Sequence, residues 1–206
     1  MSLISICSSG NLSDVKQAIS EAGEGVDINA ADSAGRTALL EASWGGNADV
    51  AKFLLEQGAD PNIADKSGFT PIMRAVEGGH QPVVSALIER GADVNCRGSV
   101  RGTTPLMLAA ENGHVKLITQ LLGSGARIND TDQYEETATA RAYKVGQEKT
   151  AQLLESKGGR GKTERSAYYS HSDRDAGSVT VASMPQWSAA SQDAMGVGRG
   201  GGDYDD

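Results

Sequence analysis

The sequence predicts an all-α solenoid, with stacked helix pairs joined by β-hairpin-like finger loops. Three observations predict it. Thr37, Thr70, Thr104 and Thr137 recur at intervals of 33, 34 and 33 residues. Asn29, Asn62, Asn95 and Asn129 recur at 33, 33 and 34. Between these markers one run returns in register, as GRTALLEASWGGNADVAKFLLEQGADPN, GFTPIMRAVEGGHQPVVSALIERGADVN and GTTPLMLAAENGHVKLITQLLGSGARIN. A fixed period of this length marks an array in which each unit hides its apolar face against its neighbours.

The elements of one unit follow in order. Gly35, Gly68 and Gly102 stand two residues before a threonine, where a tight turn favours glycine. That threonine is a natural N-cap, and Pro71 or Pro105 takes the favoured first helical position after it. A short apolar helix follows, such as Leu106-Met107-Leu108-Ala109-Ala110. Gly46, Gly79 and Gly113 break it, and a second, amphipathic helix begins. Val50, Phe53 and Leu54 mark its buried stripe, as do Val83, Ala86 and Leu87, and then Leu117, Gln120 and Leu121. Gly58, Gly91 and Gly125 end it, and an Ala-Asp-x-Asn run leads into the next finger in two of the three units.

Gly68-x-Thr70-Pro71, Thr104-Pro105-Leu106, Gly79-His80, Gly113-His114 and Gly91-Ala92-Asp93-Val94-Asn95 resemble the ankyrin repeat family in order and register. The resemblance covers about residues 3–159. It implies three full repeats at 32–64, 65–97 and 98–131, with terminal repeats at about 3–31 and 132–159. In the first, Gly10-Asn11 stands for Gly-His; in the last, Glu135 replaces the turn glycine, Ala138 the proline and Thr139 the core leucine. Arg141, Lys144, Lys149 and Gln152 then polarise that last unit, as suits a cap whose outer face meets water. The family's frequent histidine after Thr-Pro-Leu is absent, with Leu40, Met73 and Met107 in its place.

The remaining layout comes from composition. The chain has 206 residues and a formal charge of −8, which disfavours nucleic acid and anionic membranes as partners. No stretch approaches the roughly 20 apolar residues of a membrane span, and the first residues carry neither basic region nor apolar run. Cys7 and Cys96 cannot form a disulfide framework, and two thiols fit a reducing compartment. An intracellular protein is expected, cytoplasmic or nuclear, and monomeric. Residues 160–206 contain no Leu, Ile or Phe and read as a disordered Gly/Ser-rich tail beyond an array spanning 1–159.

Chemistry is harder to find. His80 and His114 occupy matching repeat positions, which favours a local hydrogen bond at a helix start over metal binding, and His171 lies far from any other Cys or His. Gly198-Arg199-Gly200-Gly201-Gly202 lacks the strand and helix that make glycines a phosphate cradle. No nucleophile–base pair stands out. A non-enzymatic module that binds another protein is therefore expected, with no cofactor and no metal.

The resemblance implies that partners are held by the finger tips and by the concave faces of the first helices. Carried onto this chain, the concave candidates are Glu41, Trp44, Arg74, Glu77, Glu111, Asn112 and Lys144, and the finger candidates are Arg36, Lys66, Phe69, Arg101 and Tyr134. Trp44 either anchors a partner or packs over the shallow Gly45–Gly78 surface. Arg101 either meets a partner's carboxylates or belongs to a solvated basic loop. Asn95, with Leu87 eight residues earlier and Asp93-Val94 between, resembles the pattern hydroxylated in many ankyrin proteins; a turn-bonding role is the alternative. Thr163 and Ser166 are candidate phosphorylation sites, so the alternative function is an adaptor whose tail carries a phosphorylation-switched linear motif.

Overall fold

The computed structural model describes residues 3–99 and 101–161. Among these, ten α-helices form five consecutive pairs: α1 (Leu3–Ser8) with α2 (Leu12–Ala22), α3 (Ala38–Trp44) with α4 (Ala48–Glu56), α5 (Pro71–Glu77) with α6 (Gln81–Glu89), α7 (Pro105–Glu111) with α8 (Val115–Gly123), and α9 (Ala138–Lys144) with α10 (Glu148–Ser156). First helices pack on first helices along the chain, from α1 through α3, α5 and α7 to α9. The second helices form the other layer, α2 against α4, α4 against α6 and α6 against α8. Helices of seven to nine residues are too short to persist alone in water, so packing holds them. Leu39, Leu54, Ile72, Met73, Leu87, Leu106, Met107, Leu117, Leu121 and Leu154 form part of one continuous core.

Capping follows the expected register with one exception. The hydroxyls of Thr37, Thr104 and Thr137 accept from the N–H groups of Leu40, Met107 and Ala140 at 3.2, 3.4 and 3.2 Å. Thr70 makes no such cap, because its hydroxyl turns to the Cys96 sulfur, 3.2 Å away on the following finger. Where the family carries a histidine, the Met107 sulfur accepts from the Thr104 N–H at 3.5 Å, a weak substitute. Each of the last four second helices ends in a reverse bond from two residues beyond the cap, Ala59 to Leu54, Ala92 to Leu87, Ala126 to Leu121 and Gly159 to Leu154.

Two ladders run between repeats. The Oδ1 atoms of Asn29, Asn62, Asn95 and Asn129 accept from the N–H groups of Asp60, Asp93, Arg127 and Arg160, each at 2.8–2.9 Å. The second ladder corrects the reading of His80 and His114 as local helix-start bonds. His80 Nε2 lies 3.0 Å from the carbonyl oxygen of Trp44, and His114 Nε2 lies 3.4 Å from that of Glu77. Asn47 does the same for the first pair, donating to the Cys7 carbonyl at 3.1 Å. The side chain reaches back because the preceding repeat's glycine has no Cβ to block it.

The last repeat also departs from the sequence reading. Glu135 keeps the turn that glycine makes elsewhere, at φ +59°, the one non-glycine residue with positive φ among those described. Arg141 does not face water. Its side chain is only 7% exposed and pairs at 2.7 Å with the fully buried carboxylate of Asp132. Lys144, Lys149 and Gln152 are exposed, as expected of a cap.

Candidate partner-binding face

Three arginines organise the face made by the first helices and the fingers. Asp65 opens the turn of the second full finger, where its Oδ1 accepts from the N–H groups of Ser67 and Phe69, each at 2.9 Å. That leaves Oδ2 for Arg74, which donates at 2.8 Å from α5. The other end of the guanidinium meets Glu77 at 3.1 Å. Its planar group also lies 4.1 Å from the centre of the Phe69 ring and 5.2 Å from that of Trp44. Four sequence candidates from two first helices and one finger therefore form a single cluster. Cation–π contact and two carboxylates hold Arg74 in place, and Arg74 in turn orients both rings.

The same construction appears twice more. Arg36 pairs with Asp32 at 2.7 Å and Glu41 at 2.8 Å. Arg141 pairs with Asp132 and, across the repeat boundary, with Glu111 at 3.2 Å. Burial alone would raise the Asp65 and Asp132 carboxyls. The arginine hydrogen bond and the turn N–H groups outweigh it and hold both below the ordinary carboxylate range. Beside the first cluster lies an open depression of about 190 Å³ lined by Ser8, Glu41, Trp44 and Gly45. Trp44 is 49% exposed there, so its ring is held on one side by Arg74 yet remains accessible.

The other candidates fall into different settings. Lys144 pairs with Glu136 at 2.8 Å. The Asn112 amide donates to the Leu108 carbonyl at the end of its own helix. Fingers join through the backbone, Lys66 N–H to Ala34 O and Gln133 N–H to Arg101 O, each at 3.0 Å. The Lys66, Arg101 and Tyr134 side chains are exposed, while Arg97 is committed to Asp130 at 3.2 Å and to the Thr131 carbonyl at 2.6 Å. Asn95 has both ends of its amide engaged, with Oδ1 on Arg127 N–H and Nδ2 on Gly125 O at 3.1 Å, which favours its scaffold role. Thr163 and Ser166 lie outside the described residues.

Arg141 was also a concave-face candidate by its repeat position, whereas sequence reasoning missed its partner Asp132 and the Arg74 partner Asp65. A signal was present: an aspartate stands nine residues before an arginine in both repeats, at 65 and 74 and at 132 and 141.

A family model described as Ankyrin repeats (3 copies) matches residues 3–98 and 95–164. The chain belongs to the ankyrin repeat family. No curated protein matches it. Ankyrin repeats are generally protein–protein interaction modules, and the family is typically non-enzymatic. The three arginine clusters lie on the side of the array made by the first helices and the fingers. No helix among the described residues is long and apolar enough to cross a membrane.

Proposed function

We propose that this protein is a non-enzymatic binding module that takes a partner protein on its first-helix and finger face, with Trp44 and Phe69 as anchors. The observation that carries this reading is the Trp44–Arg74–Phe69 stack. Aromatic and arginine side chains dominate interface hot spots, and they bind best when little rotamer entropy is lost on docking. Arg74 is already fixed by Asp65 and Glu77, so both rings meet a partner pre-arranged. Half of Trp44 stays open to solvent, so the ring is accessible to a partner while Arg74 holds it.

Affinity capture from cell extract with the full chain tests this. The double variant Trp44→Ala with Glu77→Lys should lose the captured partner while its melting temperature stays close to that of the parent. Capture that persists in the folded double variant would show that the partner sits elsewhere.

A further inference from the structure

The last residue of each seven-residue first helix forms a row: Trp44, Glu77, Glu111 and Lys144 end α3, α5, α7 and α9. Consecutive members lie on helices that pack directly against one another. All four side chains are accessible; those of Glu77 and Glu111 are each 41% exposed. The arginines behind the row do not neutralise it. Arg36, Arg74 and Arg141 each meet two carboxylates, so every cluster keeps one negative charge in excess. In the second and third clusters the buried member is the aspartate, and the outward member is Glu77 or Glu111. At the Trp44 end the depression exposes the indole ring, which suits a cation, while the Glu41 side chain in its wall is only 11% exposed and already paired with Arg36. Lys144 closes the far end with the opposite sign.

We propose that this row binds an extended, basic segment of a partner protein. One cationic side chain enters the depression against the Trp44 ring, and two more meet Glu77 and Glu111. Packed helices stand about 8–10 Å apart, and a segment in the extended polyproline II form advances about 3.1 Å per residue with three residues per turn, so every third side chain faces the row. The cations therefore belong at every third residue of the segment. Lys66 and Arg101 are exposed cations that sit on the fingers and not in the row, whose one cation is Lys144 at its far end. This inference rests on the reading of the face as partner-binding and adds the partner's charge and spacing to it.

The test uses the full chain with Trp187→Phe, which leaves Trp44 as its one tryptophan. The probes are three labelled synthetic peptides on a Ser/Ala background. One carries lysines at every third residue, one carries three adjacent lysines, and one carries aspartates at every third residue. Binding is read by anisotropy up to millimolar peptide and by Trp44 emission. The spaced lysine peptide should bind, shift the Trp44 emission and weaken as salt rises. Glu77→Gln and Glu111→Gln should each weaken it by about fivefold, as expected for one charge contact. Both variants leave Arg74 and Arg141 held by Asp65 and Asp132, so folding is not at stake. Equal binding of lysine and aspartate peptides overturns the proposal, and so does equal binding of spaced and adjacent lysines. Failure of all three peptides also overturns it. If partner capture then still depends on Trp44, the face docks a protein of other chemistry; if capture is indifferent to Trp44, the broader reading fails as well.

Discussion

His80 Nε2 lies 3.0 Å from the main-chain carbonyl of Trp44, 36 residues earlier in the chain. A carbonyl only accepts, so the histidine carries its proton on Nε2 and donates it to the end of the preceding repeat's first helix. The ring can come this close because Gly46, at φ +70°, has no side chain. A Cβ there would stand 2.5 Å from His80 Nδ1. Gly58 also has positive φ, at +90°, but nothing lies within 4 Å of its missing Cβ.

These two glycines give a paired prediction. Gly58→Ala should cost only the backbone strain of a left-handed alanine, about 1 kcal/mol. Gly46→Ala adds a steric clash with a side chain that ties two repeats together, and about 3 kcal/mol is expected. Urea unfolding of both variants, followed by circular dichroism, reads the difference. Equal losses would mean that the histidine moves aside freely.

The Asp132–Arg141 pair predicts a pH dependence. The folded carboxyl titrates below its unfolded value near 4, so its contribution to stability is complete above that value. It is lost as the pH falls from about 4 through the lower folded value. Asp132→Asn should cost about 3 kcal/mol at pH 7, because a buried guanidinium loses its closest anion. The stability curves of parent and variant should converge as the pH falls through the folded value, where the parent's carboxyl also becomes neutral. The same change at Asp32, whose pair is far more open to water, should cost less.

Glu135 offers a gain. It holds φ +59° in a position where the earlier fingers use glycine. Glu135→Gly should remove the strain and raise stability by about 0.5–1 kcal/mol, after the extra freedom it gives the unfolded chain. A thermal melt that falls instead would show that the carboxylate does more than occupy a turn.

How much of this was legible in advance depends on how far apart the interacting groups lie. The period, the threonine caps and the glycine stops are local rules, written within a few residues of where they act, and they sufficed for an all-α array of helix pairs. The concave candidates could also be named one by one, because a repeat register assigns positions to faces. What those residues do to one another was not readable. Arg74 lies between rings contributed by two different repeats, Arg141 is buried against Asp132 while reaching back to Glu111, and Thr70 abandons its cap for Cys96.

The amino-acid order alone determined which segments become helices, where they stop and that the units must stack. Stacking decided the charge pattern of the face and the side-chain ladders. Each depends on the distance between atoms some thirty residues apart in the chain, and only the packing of one repeat on the next sets that distance.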